Sequence, residues 1–466
     1  MPTHPAPPPD RRWDAVVAGG GPAGATAALC LARAGRRVLL VERERFPRFH
    51  VGESLLPANR GLLAELDLLD RVASLPHQPK YGAEFAFGHE TDAETLRFAF
   101  AEGLLDADDE TFNVERGPFD AMLLAAAAEA GADVVQGAAV RRVVRLGEGE
   151  AVVEVAASGG AGGFPARRVA ARCLVDASGQ STLLGKRLGL RRAVPGHSKV
   201  ACFGHFRGVE RLAGRAAGHP FIVMMADAWF WLIALDGERT SIGVVMDRDA
   251  ARRVQSDFGL EPHQLLAWAI ERCPLVARRT AAADFPGQTH VAADFSYRCV
   301  PYAGPGWFAV GDAAAFLDPI FSTGICLGMV GGREAARRLD AILAGGDPVR
   351  QRAAYRRLVE TGSAPLFRLV HRFYRHEFRE LMMQGEGPLG VHRALFSLLA
   401  GQVFPRPRWR LRWRQRLLEL FTEIQARWPL VPRHERVWLH PPDGAETSAG
   451  AAKRDRADGR RFEATG

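Results

Sequence analysis

Lysine is almost missing from this chain. Of 61 basic residues only four, Lys80, Lys186, Lys199 and Lys453, are lysine, and arginine supplies the cation elsewhere. Each lysine stands out against that background, because burial can strip a proton from an amine but not from a guanidinium. No run of eighteen apolar residues occurs, which excludes a membrane-spanning helix of ordinary composition. The proline-rich opening, MPTHPAPPPDRRWD, has no apolar core segment, so a secretory signal is not expected. Six cysteines (Cys30, Cys173, Cys202, Cys273, Cys299 and Cys326) are scattered without a C-x-x-C pair. That pattern points to free thiols in a reducing cytoplasm rather than to disulfides or a metal site. No internal repeat is present.

What is there reads as an α/β protein. A length of 466 residues allows two to three domains at roughly 150 residues each, and 47% apolar content suits a soluble globular chain. The net charge of +8 fits an acidic partner or substrate, or simply solubility. DAVVAGG, PAGATAALCLARAG and RRVLLVE form a strand, a helix stopped at Gly35, and a second buried strand. FDAMLLAAAAEAG is another such helix, VAARCLVDASG a strand running into a turn, and GWFAVGD returns to the first pattern. Between them, VACFGHF, FIVMMA, WFWLIAL and TSIGVVM suggest a mainly antiparallel sheet. We therefore expect a discontinuous nucleotide-binding domain over 13–85, 110–190 and 296–345. A sheet domain over 86–109 and 191–295 is inserted in it. A helical region follows at 346–440, with disordered tails at 1–12 and 441–466.

GGGPAG sets Gly19, Gly21 and Gly24 in G-x-G-x-x-G spacing, with Ala23 inside the turn, after a strand and at the start of a helix. Gly19 allows the tight turn, Gly21 admits a pyrophosphate, and Gly24 lets the helix pack closely. Glu42 ends the next strand, where a carboxylate can accept ribose hydroxyls. Two more turns, at Asp176 and at Gly311-Asp312, lie far along the chain, and three such turns suit an extended cofactor such as FAD better than NAD. No second nucleotide fingerprint is present.

This set, with PRFHVGES (Arg48 to Ser54) and VERGPFD (Arg116, Asp120), resembles the glutathione-reductase-like FAD monooxygenase superfamily over residues 14 to about 340. The resemblance implies Arg48 and Ser54 among the cofactor contacts and Arg116 beside the flavin. A surface, helix-capping Arg116 is the plain alternative. Within the superfamily, FPRFHVGESLLPA, PKYGAEF, WFWLIA and FLDPIFSTGICLG look like the flavin-dependent halogenases, nearest those acting on phenols, pyrroles or carrier-bound substrates. The W-x-W-x-I-P motif of that family matches at Trp229-Phe230-Trp231-Leu232-Ile233, with Ala234 in place of proline.

Such an enzyme must use reduced FAD, dioxygen and chloride or bromide to make hypohalous acid, and keep the organic substrate away from the flavin. The resemblance assigns three parts. Thr323 and Gly324, opening a helix, offer free amides for the halide, although an empty N-cap fits the spacing equally well. Trp229 and Trp231, on one face of a strand, form the wall, or else a plain core pair. Lys80 in K-x-G-A-x-F is the relay that holds or carries the halogen. Phe321 replaces the glutamate of the free-tryptophan branch, which argues against that substrate.

Four readings remain open: halogenase, aromatic monooxygenase, isoprenoid-chain reductase, and a flavin-binding partner without turnover. The first needs a separate flavin reductase to supply FADH2. At the C-terminal end, RPRWRLRWRQRLLELFTEIQARWP spaces Trp409, Trp413, Leu417, Leu420, Ile424 and Trp428 as one helical face, with arginines at 406, 408, 410, 412, 414 and 416. We expect that apolar face to cover the substrate domain. Docking of an acidic carrier protein and contact with anionic membrane are the other readings. Nucleic-acid binding is not expected, since no recognition module accompanies the charge.

Overall fold

The computed structural model describes residues 12–441 apart from 89–94, 106–107, 159–165, 286, 294–295 and 405–406. The expected tails therefore fall almost wholly outside the described residues. Two large sheets carry the architecture. The first runs in the order Ala303–Gly304, Trp307–Ala309, Arg167–Asp176, Trp13–Ala18, Val38–Glu42, Asp133–Gln136, and its five long-range neighbours from 307 to 133 are parallel. Strands of a parallel sheet are covered on both faces, and all five residues of Val38–Glu42 are buried accordingly.

Helix Pro22–Arg33 lies on this sheet and packs along helix Gly324–Leu343. The contact works because one wall has no side chains. A Cβ on Gly332 would come 2.2 Å from the Ala23 carbonyl oxygen, and one on Gly311 would come 2.8 Å from the Ala23 methyl. Helix Gly324–Leu343 is thereby pressed against the glycine turn, with its N-terminus beside residues 311–312.

The second sheet, in the order His290–Ala293, Lys199–Arg207, Arg239–Asp247, Ala228–Ala234, Phe221–Met224, Gly82–Phe87, Thr95–Ala99, is antiparallel except for the Phe221–Met224/Gly82–Phe87 pair. The expected boundary at 85/86 is corrected by this sheet, since Gly82–Phe87 belongs to it. The chain runs into that strand directly from a two-stranded ribbon, His77–Lys80 against Thr111–Val114, which joins the two sheets. All seven residues of Ala228–Ala234 are buried, so both faces are covered. Trp229, Trp231 and Ile233 face one apolar cluster, Phe230 and Leu232 the other. That is period-two alternation at work.

From 348 to 427 the chain is mainly helical: Pro348–Phe373, His376–Met383, Val391–Leu399 and Trp409–Arg427. No described helix is long and apolar enough to cross a membrane. The last helix corrects the sequence reading. It buries Leu411, Gln415, Leu418, Thr422 and Gln425, while Trp409 and Leu420 of the expected core face are 72% and 54% exposed. The polar stripe goes inward because its groups find partners. Gln415 donates to the Pro365 carbonyl at 2.8 Å, and Gln425 donates to Glu380 at 2.8 Å while accepting from the Leu430 amide at 2.6 Å.

The glycine contact gives a test. Gly332→Val should lower stability by about 1–3 kcal/mol through overpacking and weaken FAD retention. Gly61→Ala, in open space on helix Pro57–Glu65, should be neutral or slightly stabilising. Thermal unfolding and flavin absorbance after gel filtration read both.

Candidate active site

The cofactor end is built from the first βαβ unit. Gly19, at φ +114°, lies where a Cβ would meet the Ala177 carbonyl at 2.2 Å. Gly21 caps the helix with no side-chain cap, so the first-turn amides stay available. The Cβ position of Gly21 is open except for Arg48 Nη2 at 3.8 Å, which puts a cation over the helix N-terminus. Arg48 is held there by Asp120 Oδ2 at 2.9 Å and by the Phe46 ring 4.6 Å away. Glu42 accepts from the Gly20 amide at 2.6 Å and the Glu44 amide at 2.8 Å, and each of its oxygens keeps a second acceptor position. Amides, a guanidinium and an oriented carboxylate in a row match a pyrophosphate and its ribose.

Farther along, Asp312 is half-buried and has no side-chain donor among the described residues. Burial pushes its carboxyl up to about 6, against the opposing pull of Arg116. A desolvated acceptor of this kind suits the hydroxyls of an extended chain. The residues present fit FAD.

Two of the expected cofactor contacts make their hydrogen bonds within the protein. Asp176 is fully buried, accepts from the Ser178 amide at 3.0 Å and the Leu184 amide at 2.7 Å, and so shapes its own turn instead of facing a ligand. Arg116 is not a surface residue. It makes a two-pronged pair with Asp120, 2.9 Å on each arm, and its remaining arm reaches the carbonyls of Val51 and Gly52. Thus Arg116 and Asp120 clamp the 48–54 loop from below.

Asp312 stands at the edge of a cleft. Phe316, Asp318, Thr323 and Gly324 line one side, and Leu366, Phe367 and Val370 from helix Pro348–Phe373 line the other. Thr323 and Gly324 begin helix Gly324–Leu343 with no side-chain cap, so the amides of its first turn have no intrahelical partner. Such an end can hold an anion.

Lys80 ends the ribbon strand. It is 3% exposed and donates to Ser54 Oγ and the Leu55 carbonyl, both at 2.9 Å, with the Phe100 ring 5.3 Å from its nitrogen. No described carboxylate pairs with it. Burial alone lowers its pKa from 10.5 to about 7. Ser54 accordingly serves the lysine in this structure.

The tryptophans share one face, their rings 5.7 Å apart. Trp231 packs onto Gly243, where a Cβ would be 2.2 Å from the indole, and donates to Ser241 Oγ at 3.1 Å. Trp229 donates to Tyr374 Oη at 3.0 Å, and Tyr374 donates to Asp318 Oδ2 at 2.6 Å. Both lie in the cluster that also holds Leu317, Ile320 and Phe321, the segment just before Thr323. Asp318 and Tyr374 were missed by sequence reasoning. An acid inside the apolar run FLDPIF was a usable signal, whereas nothing local marks Tyr374 as the partner of a tryptophan 145 residues away.

Comparison with known proteins agrees with this geometry. An FAD-binding domain profile matches residues 12–357. A flavin-dependent halogenase of Armillaria mellea is 33% identical over 347 residues, spanning 71% of this chain and 68% of that protein. The pyrrole-2-carbonyl peptidyl-carrier protein chlorinase of Pseudomonas fluorescens is 31% identical, spanning 70% of this chain and 75% of its own. A solved flavin-dependent brominase superposes with a TM-score of 0.76 at 28% identity, over 89% of this chain and 100% of that one. The myxobacterial chondrochloren halogenase gives 0.72 at 30% identity, over 88% and 97%. The chain belongs to the flavin-dependent halogenases, FAD-dependent oxidoreductases, and this decides among the four readings left open by the sequence.

The clamp can be tested directly. Asp120→Asn leaves the buried Arg116 guanidinium without its two-pronged partner and the part-exposed Arg48 with Glu44 alone, which should cost about 3–5 kcal/mol. Denaturant unfolding should show that loss, and limited proteolysis should find new cleavage between residues 48 and 54.

Proposed function

We propose that this enzyme halogenates an electron-rich phenol or pyrrole, free or tethered to a carrier, through a halogen relay on Lys80. Reduced FAD delivered by a separate reductase would supply, with dioxygen and chloride or bromide, the oxidised halogen as hypohalous acid. Gly19, Gly21, Arg48, Glu42, Gly311 and Asp312 would hold that cofactor, and the free amides at Thr323 and Gly324 would hold the halide. Trp229 and Trp231 back the 317–321 segment and, in this reading, close the direct path between cofactor and substrate without adding a titratable group.

The observation that carries the relay is the lone, buried amine of Lys80. With a pKa near 7, its neutral form is well populated at neutral pH. Two N–H groups can remain on Ser54 and Leu55 while the lone pair attacks the halogen. The N–X bond forms, the O–X bond breaks, and the departing hydroxide takes one proton from nitrogen to leave as water. The substrate ring then takes the halogen from nitrogen and returns its own proton to the amine, so atoms and electrons balance. Phe321 supports a self-activating substrate. It is buried edge-on to Phe373, with ring centroids 5.5 Å apart, and offers no base where the free-tryptophan branch has one.

The test is product mass with reductase, NADH, chloride or bromide, and phenol and pyrrole substrates. Wild type should incorporate halogen, increasingly as pH rises through about 7, because the relay needs the deprotonated amine. Lys80→Met and Lys80→Arg should each lower incorporation at least a hundredfold while FAD stays bound. Near-normal halogenation by either variant would overturn the relay. The same shift has a stability sign. An amine whose pKa falls from 10.5 to about 7 on folding takes up a proton on unfolding across that window, so its contribution to stability rises with pH between those values. Lys80→Met should flatten that slope in unfolding measured at pH 7 and pH 9.

A further inference from the structure

The terminal helix Trp409–Arg427 presents a face that the fold does not use. Its two acids are already paired within the chain: Glu419 lies 3.2 Å from Arg368, and the half-exposed Glu423 pairs with Arg372 and Arg375. Its outer arginines, Arg408, Arg410, Arg412, Arg416 and Arg427, form no ion pair among the described residues. Between them run Trp409 and Leu420, and Trp428, 65% exposed, follows at the end of the helix. The helix buries Leu411 and Leu418 and half-buries Trp413, Leu417 and Ile424, yet leaves its two flanking tryptophans to solvent.

Trp and Arg together are the residue types that carry most binding energy at protein interfaces. The helix that carries this face is also tied to the wall of the site. Helix Pro348–Phe373 lines the cleft with Leu366, Phe367 and Val370 and, from its other side, holds the terminal helix through Arg368 and Arg372. Charge decides the occupant. A second copy would set five uncompensated arginines against five more. A membrane-surface helix segregates its apolar and cationic sides, whereas here Arg416 and Arg427 fall within the apolar stripe.

We propose that this face docks an acidic protein domain that brings the aromatic substrate to the cleft as a covalently tethered acyl group. The inference rests on the halogenation reading above and names the partner of that site.

The probe is an acidic peptidyl carrier protein loaded with pyrrole-2-carbonyl, compared with the same acyl group on free pantetheine. The variants are Arg412→Glu/Arg416→Glu and Trp409→Ser. A control, Arg252→Glu/Arg253→Glu, makes the same charge change on the exposed side of helix Arg248–Phe258. At low salt, the terminal-helix variants should lower kcat/KM for the carrier substrate at least tenfold, with the pantetheine substrate and the control unchanged. Anisotropy of the labelled carrier against the oxidised holoenzyme should show the same loss of affinity without turnover. Equal carrier affinity in wild type and variants overturns the proposal. So does binding of wild type to phosphatidylglycerol vesicles but not to the carrier. Should neither substrate be halogenated, the functional reading fails while the anisotropy still decides the docking.

Discussion

The contact between helices Pro22–Arg33 and Gly324–Leu343 is the constraint on which the site depends. Each helix begins with unsatisfied amides, one end suited to the cofactor phosphates and the other to a small anion. Neither end is useful unless the two helices lie together. They do so because glycines at 311, 328 and 332 leave room for Ala23, with Gly332 close enough that any side chain would strike its carbonyl. These glycines come from a segment nearly three hundred residues after the turn they complete. The domain is discontinuous, then, because the cleft needs pieces whose order in sequence is irrelevant to their meeting in space.

Against that frame of apolar packing, a single amine carries an electrostatic cost. Taking Lys80 out of water with only a hydroxyl and a carbonyl as partners lowers its proton affinity by several pKa units, each worth about 1.4 kcal/mol. An arginine in the same place could not shed its proton, and the whole desolvation penalty would fall on the fold. This accounts for why a chain that uses arginine almost everywhere keeps a lysine here. It does not account for Lys199, which is equally buried but paired with Asp247, with its nitrogen 3.8 Å from the Tyr374 ring. Rarity marks both lysines. Only the missing carboxylate separates them, and that is a property of the fold.

The same division runs through the rest of the chain. The glycine turn, Glu42, the parallel strands and the inserted sheet were legible because their signals are local: spacing, alternation, and a helix start after a strand. Trp229 and Trp231 were legible as one face for the same reason, while their partners Tyr374 and Ser241 were not. Arg116 and Asp176 show what motif spacing alone leaves undetermined. Their motif placed them near the cofactor, yet a side chain in a binding motif can be buried under the turn or loop it supports. Asp176 is fully buried and holds two amides of its turn, and Arg116 is buried on Asp120 and two loop carbonyls. Proximity in a motif fixes the backbone, and the side chain's role follows from which donors or acceptors are left over.

The terminal helix carries this furthest. Periodicity assigned its apolar face to the core, since burying Trp409, Leu420 and Trp428 would remove large apolar surface from water. The fold gives that up and seats Leu411 and Leu418 with Gln415, Thr422 and Gln425, whose amides and hydroxyl satisfy carbonyls, a carboxylate and two backbone amides. Hydrogen bonds of that kind contribute about 1 kcal/mol each, less than a fully buried tryptophan would. Five such bonds and two buried leucines are together comparable to what the exposed side chains forgo, so the inward stripe holds within one polypeptide. The indoles left outside are the apolar surface that the proposed partner would bury.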